Sequence, residues 1–326
     1  MDARLSDYDY NLPAELIAQR PLPRREDARM MVLRLDAQTI EHRQFVELRK
    51  LLTPGDLLVL NDTRVVPARR LSDDGAIEFL FVERLGQARW KCLIKPGRKF
   101  RVGATARIGH VIVRVEEILP QGERIVTLDE DVDLHAGGSM PLPPYIGRES
   151  DVQDEARYQT IFADAPGAIA APTAGLHFTG EILGEIPHAF VTLHVGTGTF
   201  RPVRSEKISE HRMHAERFSI SSAAAKKIGH AQRVAAVGTT TVRVLEAARR
   251  QDGRLVAQTG STDIFIYPPF QFRAVDLLLT NFHLPRSTLL MLVSAFAGRE
   301  FLLRAYEQAI RERYRFYSYG DCMLIL

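Results

Sequence analysis

At 326 residues, 45% of them hydrophobic and 25% charged, the chain is long enough to bury one large core or two smaller ones, and its composition excludes global disorder. A net charge of +3 permits a polyanionic partner without requiring one. Two cysteines, Cys92 and Cys322, exclude a disulfide framework, and the longest strongly apolar run, 289–297, is too short to span a bilayer; with no signal-peptide pattern at the start, the chain reads as soluble and intracellular.

Near the start, Pro13 predicts a helix over 14–19 with proline at its first position. Pro54-Gly55 marks a turn, and LLVLN (57–61) reads as a buried strand. Over 65–134 the pattern becomes strand after strand: IEFLFVERL (77–85), RWKCLIK (89–95), ATARI (104–108), VIVRVEEIL (111–119) and RIVTL (124–128), separated by short turns. Such spacing predicts a small antiparallel barrel or sandwich. MPLPPYIGR (140–148) reads as a return linker. Beyond it, strands at 168–172, 190–195, 234–237, 263–267 and 277–281 alternate with helical patterns at 241–250, 288–297 and 300–313, which predicts an α/β domain with a mostly parallel sheet. The expected architecture is an α/β domain built from both chain ends (1–64 and 152–326), with an antiparallel β-barrel and its return linker inserted at 65–151.

Three segments share one design, an apolar strand, a short polar loop and a helix. VAAVGTTTVRVLE (234–246) places Gly238, Thr239 and Thr240 in the gap. LLLTNFHLPRSTLLMLVSAF (277–296) places Asn281, His283 and Ser287 there, and AIAAPTAGLHFTGEIL (168–183) places Thr173, Gly175 and His177. Ligands of open α/β sheets sit beyond the carboxyl ends of the strands, and helix N-termini offer free N–H groups to anions. The plainer reading is that Thr240 and Ser287 are merely N-caps, but three loops rich in His, Arg, Asn and Thr favour a site over it. In VTLHVGTGTFRPV (191–203), Gly196 and Gly198 follow a strand, but Phe200-Arg201-Pro202 stand where a helix should begin and a third glycine is missing. This is neither a dinucleotide nor a methyltransferase loop; the glycines let backbone pass close to a ligand or another loop.

HRMHAE (211–216) sets His211 and His214 three apart, with no HExxH pattern and no cysteine cluster, so acid–base or hydrogen-bonding roles are preferred to a metal. Arg20, Arg24, Arg25 and Arg29 form one basic cluster. Arg299, Arg304, Arg311, Arg313 and Arg315 form another, interleaved with Tyr306, Tyr314, Phe316, Tyr317 and Tyr319. Arginine among aromatics suits phosphates and unstacked bases, and suits an ordinary solvated helix face equally.

LLVLNDTRVVPAR (57–69), MPLPPYI (140–146), RYQTIFA (157–163), APTAGLHFT (171–179), HRMHAE, AVGTTTVRVLE (236–246), TNFHLPRSTLLMLVSAFAG (280–298) and YRFYSYGD (314–321) occur in this order. With them the chain resembles the S-adenosylmethionine:tRNA ribosyltransferase-isomerase family of queuosine biosynthesis, nearly end to end. The resemblance implies transfer and isomerisation of the ribosyl unit of S-adenosylmethionine onto 7-aminomethyl-7-deazaguanine at the wobble position of a tRNA with a G-U-N anticodon. Adenine and methionine leave, and epoxyqueuosine forms. It implies a cytoplasmic enzyme with no metal or further cofactor, no membrane and no obligate protein partner. In the chemistry it demands, His177, His214 and His283 are acid–base candidates, and Asp62 or Glu216 could hold the aminomethyl cation or orient a histidine. Arg243 and the N–H groups after Gly238 suit the donor's carboxylate; Thr173, Asn281 and Ser287 suit ribose or base edges, with Gly175, Gly196, Gly198, Thr239 and Thr240 shaping the donor site. Arg20, Arg24, Arg29, Arg311, Arg315, Tyr317 and Tyr319 are the expected tRNA contacts. The competing readings are an S-adenosylmethionine-dependent RNA methyltransferase and a non-catalytic tRNA-binding protein.

Overall fold

In the computed structural model, residues 4–196, 198, 203, 205–248 and 255–326 are described. The strands are β1 (Arg29–Arg34), β2 (Thr39–Gln44), β3 (Asp56–Asn61), β4 (Thr63–Val65), β5 (Arg69–Leu71), β6 (Glu78–Gly86), β7 (Arg89–Lys95), β8 (Thr105–Ile108), β9 (Val111–Ile118), β10 (Arg124–Leu128), β11 (Ala165–Ala168), β12 (His188–Leu193), β13 (Glu216–Ile220), β14 (Arg233–Val237), β15 (Gln258–Thr262), β16 (Leu277–Asn281) and β17 (Cys322–Ile325). The helices are α1 (Leu48–Leu51), α2 (Val152–Arg157), α3 (Gly180–Gly184), α4 (Ser222–His230), α5 (Thr239–Ala248), α6 (Thr288–Ala297) and α7 (Arg299–Arg311). Residues 249 and 250 of the helix expected over 241–250 lie outside the described residues, as do Phe200, Arg201 and Pro202.

The large sheet has the order β15-β13-β12-β3-β14-β16-β17-β1-β2. Its centre, β12-β3-β14-β16, is parallel, while β15 with β13, β13 with β12, β17 with β16, and β2 with β1 pair antiparallel. The sheet is therefore mixed, not mostly parallel. The physical reason lies in the chain path: after α7 the tail crosses the carboxyl edge of the parallel strands, so β17 must run back against β16. β1 then pairs parallel to β17. Asn281 at the end of β16 faces Cys322 at the start of β17, and Cys322 faces Met30. The parallel strands thus end, and β17 and β1 begin, at one edge.

The central strands alternate between two buried faces, as period-2 side-chain geometry requires. Leu57, Val59, Val234 and Ala236 join one core with α5, α6 and α7, while Leu58, Leu60, Ala235 and Val237 join the other with Phe45, Phe178 and Leu183. Burial on both sides explains why these strands read as continuous apolar runs.

Three further expectations need correction. Residues 263–267 form no strand; Pro268 and Pro269, which lack an N–H, follow directly, and the strand lies earlier, at β15. Of 168–172 only Ala168 belongs to a strand, β11, paired with β4; the rest leads into a 3-10 turn over Thr173–His177. The helix expected over 14–19 is a single 3-10 turn, Ala14–Leu16, because Ile17 instead bridges Phe316 and the Ala18 N–H donates to the Phe316 carbonyl at 3.2 Å.

The antiparallel segment forms a six-stranded sheet, β5-β6-β7-β10-β9-β8, that nearly closes into a barrel around Phe79, Phe81, Trp90, Val113 and Val126. Beyond β5 the Asp73 N–H donates to the Arg107 carbonyl of β8 at 2.9 Å, and the Asp73 carboxylate accepts from the Gly109 N–H at 2.7 Å, linking the two edge strands.

Candidate active site

The site grows from the shared strand edge. Asn61 closes β3: its amide donates to the Leu193 carbonyl at 3.0 Å, and its carbonyl accepts from Leu193 N–H at 2.9 Å, so the side chain extends the β3–β12 ladder. Asn281 closes β16. Its amide donates to the Tyr317 carbonyl at 2.9 Å, and its carbonyl lies 3.1 Å from His177 Nε2. That nitrogen therefore carries the proton. Gly238 ends β14 at φ 87°, a left-handed turn that favours glycine, and α5 starts at the next residue. Ser287 caps α6 through Leu290 N–H at 3.2 Å.

Around these ends lies a cavity of about 640 Å³. Among the predicted donor residues, Thr173, Gly198, Gly238, Thr239, Thr240, Arg243, Asn281 and Ser287 line it; His283 and Tyr317 do so as well. A second cavity of about 550 Å³ holds His211, His214 and Glu216 and is closed from the barrel side by Pro120 and Gln121, in the turn between β9 and β10. The two share Gly198, Arg243, Thr288 and Leu289 as a common wall. Gly198 packs so closely on His214 that an added Cβ would stand 3.3 Å from its ring.

Other predicted residues stand elsewhere. His177 lies behind Asn281 and lines a separate narrow cleft with Arg24, Arg25 and Tyr319. Asp62 is not among the described residues lining these three cavities; its carboxylate accepts from Thr192 Oγ1 at 2.6 Å, and burial pushes its pKa up. Gly175 packs under Phe162 and Thr160, where a Cβ would meet carbon at 2.9 Å, so its role is packing. Gly196 donates its N–H to Glu216 at 2.8 Å. Glu216 itself is ion-paired with Arg243, both side chains buried, so it holds an arginine rather than standing open for a substrate cation.

Burial pushes His177 down to about 4 and His283 to about 3. Both are neutral at pH 7, which removes them as resting acids and leaves base or hydrogen-bonding roles. His283 is tightly held: Nε2 meets Thr280 Oγ1 at 2.8 Å, its N–H donates to Tyr306 Oη at 3.0 Å, and its carbonyl accepts from the Tyr10 hydroxyl.

Tyr145, within the expected return linker, is a wall residue that sequence reasoning missed. It lines the larger cavity, stacks on Tyr317 with ring centroids 4.6 Å apart, and bonds Ser318 Oγ at 2.7 Å. Its lone aromatic ring in a proline-rich stretch is the signal that could have marked it.

Residues 5–325 match the model of the family described as queuosine biosynthesis protein. The chain belongs to that family. Its S-adenosylmethionine:tRNA ribosyltransferase-isomerase from Carboxydothermus hydrogenoformans is 50% identical, with 99% of this chain and 100% of the relative aligned. The protein of the same name from Halothermothrix orenii is 46% identical over 99% and 100%. A crystal structure of S-adenosylmethionine tRNA ribosyltransferase from Thermotoga maritima superposes with a TM-score of 0.57 at 40% identity, covering 98% of this chain and 100% of that one.

In this member of the queuosine biosynthesis family the first basic cluster meets only the end of the second, at Arg315, while Arg299 and Arg304 lie apart beside Tyr8 and Gln38. Arg315 donates to the Arg20 carbonyl, and Arg29 donates to the Glu312 carbonyl at 2.7 Å while lying 3.8 Å over the Tyr314 ring. Arg20 pairs with Asp151, Arg24 with Glu26 at 2.6 Å, and Arg311 is exposed. Tyr317 and Tyr319 are buried; the Tyr319 hydroxyl donates to Asp154 at 2.6 Å. Among the described residues no group of three or more His, Cys, Asp or Glu could hold a metal, and no helix is long and apolar enough to cross a membrane.

Proposed function

We infer that the chain is a tRNA ribosyltransferase-isomerase that uses S-adenosylmethionine as ribosyl donor. The observation that carries this reading is that full-length relatives named for this reaction align with the segments whose strand ends build the paired cavities. The same relatives favour it over the methyltransferase and the simple tRNA-binding readings.

The finer reading is that the acceptor is 7-aminomethyl-7-deazaguanine at the wobble position of a tRNA with a G-U-N anticodon, modified to epoxyqueuosine in the cytoplasm. A base must remove a C5′ proton acidified by the sulfonium, an acid must protonate departing adenine, and the aminomethyl group must attack as the neutral amine. His283, neutral and on the cavity wall, suits the base or a hydrogen-bond acceptor. His214, on the second cavity, is the candidate acid. His177 acts through Asn281, whose amide it orients. Thr173 and Ser287 face the ribose and base edges of the donor. No metal, further cofactor or protein partner has a step in this scheme, and residues 65–151 form the inserted domain that closes the second cavity.

The deciding assay incubates protein, modified-base tRNA and S-adenosylmethionine and identifies the small products. Free adenine with methionine is the expected result; S-adenosylhomocysteine would establish methylation, and neither product would leave only binding. In the same assay His283→Gln should slow adenine release by about 10²–10⁴-fold, the usual contribution of a positioned acid or base.

Arg20, Arg24 and Arg311 present exposed charge to the anticodon arm, whose wobble nucleotide must be extruded to reach the cavity. Arg29 and Arg315 are tied into the fold and support that face. Replacing Arg20, Arg24 and Arg311 together by glutamine should lower tRNA affinity and flatten its dependence on log salt by roughly 0.7 per lost phosphate contact. Filter binding between low and moderate salt checks this; an unchanged slope would remove these three from the interface.

A further inference from the structure

Arg243 is 3% exposed, yet it lines both cavities. It stands at the fifth position of α5, and side chains on a helix lean toward its N-terminus, here toward the Gly238 turn. Its Nη1 is ion-paired with Glu216 Oε2, and the other oxygen of Glu216 is held by the Gly196 N–H at 2.8 Å. The remaining edge of the guanidinium, Nε and Nη2, is buried and has no hydrogen-bond partner. Leaving two donors of a buried cation unsatisfied is costly, and a protein rarely does so without a ligand that completes them.

An Nε–Nη2 edge presents two parallel N–H bonds whose spacing matches the two oxygens of a carboxylate. Two sources of anion reach this enzyme: the amino-acid arm of the sulfonium donor and the phosphodiesters of tRNA. The burial of Arg243 separates them. A carboxylate is the free end of its arm and can enter a closed wall, whereas a phosphodiester carries chain on both sides and cannot. We propose that the free edge of Arg243 seats the carboxylate of the donor's methionine arm, and that Glu216 is the positioning residue that turns this edge into the cavities. The proposal rests on the reading of the chain as a user of S-adenosylmethionine. It places the methionine end of the donor at the wall the two cavities share, with the adenosine end extending into the larger one toward Tyr145 and Tyr317, whose buried hydroxyl also has no partner.

The test compares two donors, S-adenosylmethionine and its decarboxylated analogue, by adenine release with saturating modified tRNA. They are assayed in wild type, Arg243→Lys, Glu216→Gln and the double variant Arg243→Met with Glu216→Gln. Lysine can keep the ion pair with Glu216 but lacks the fork; the double variant removes both charges together and so leaves no buried ion unpaired. Wild type should prefer the carboxylate donor by roughly 10- to 100-fold in kcat/KM, expressed mainly in the donor KM. That preference should fall to roughly threefold or less in Arg243→Lys and the double variant, and part of the way in Glu216→Gln, with the tRNA KM unchanged. A preference of equal size in wild type and variants, or none in wild type, overturns the proposal while leaving the reaction intact. A raised tRNA KM in Arg243→Lys with the donor preference preserved would assign the edge to a phosphodiester and overturn it too. Wild type that releases adenine from neither donor would instead overturn the ribosyl-transfer reading, and this proposal with it.

Discussion

Glu216→Ala is expected to lower folding stability by about 3–5 kcal/mol, the usual penalty for removing one partner of a buried ion pair. Arg243 would keep its charge in a site 3% exposed and lose its carboxylate partner. The Gly196 N–H would lose the Glu216 oxygen as well. Replacing both members of the pair should cost less than Glu216→Ala alone, because no buried ion is then left unpaired. Urea unfolding of Glu216→Ala, of Arg243→Met with Glu216→Gln, and of wild type measures the difference. A loss below about 1 kcal/mol for Glu216→Ala would mean that water or a rearranged neighbour takes over the guanidinium.

The fold is legible in the sequence wherever burial is regular. RWKCLIK, RIVTL and LLLTN coincide with β7, β10 and β16 residue for residue, and the helix over 288–297 coincides with α6. What stays hidden is structure made by long-range pairing. β17 is a four-residue strand at the end of the chain, β2 carries a mostly exposed polar sequence, and β13 follows directly on the histidine segment at 211–214. β17 and β2 carry no periodic signal of their own, and β13 alternates over only five residues. Their pairing with β16, β1 and β12 turns an expected parallel sheet into a mixed one.

The site divides in the same way. Loops after β14 and β16 announce themselves by small and polar residues between a strand and a helix, and both reach the larger cavity. Residue type alone does not tell which side chains are already taken. Glu216 reads as an open acid until Arg243 is found on it, and Asp62 reads as a partner for substrate, whereas the structure sets it off the three cavity linings with one oxygen bonded to Thr192. Tyr317 and Tyr319 read as stacking platforms, but the 140–158 segment packs on them: Tyr145 stacks on one ring, and Asp154 takes the hydroxyl of the other.

Acid should unfold this protein earlier than its carboxylates alone would. His177 and His283 have folded pKa values near 4 and 3, against about 6.5 in an unfolded chain. A depressed histidine binds fewer protons folded than unfolded, so its contribution is complete above pH 6.5 and is lost as pH falls from there toward the folded value. Between pH 7 and pH 5 the two together should remove about 4 kcal/mol, at roughly 1.4 kcal/mol per pH unit for each. His194 and His211 are also depressed by burial and act in the same direction. Asp62 and Asp321, raised by burial, act in the opposite direction: they add stability as pH falls from their raised folded values toward the ordinary aspartate value. Asp154, held down to about 2 chiefly by its hydrogen bonds from Arg148 and Tyr319 against an opposing burial effect, adds its own loss only below about pH 4. Urea unfolding at half-unit steps from pH 7 to pH 4.5 should therefore show stability falling from near pH 6.5. His177→Gln and His283→Gln, which keep a hydrogen-bonding amide at each site, should each remove about one proton from the slope. A wild-type stability flat to within about 1 kcal/mol over that range would show that both imidazoles accept a proton inside the fold, and would return them to the list of resting acids.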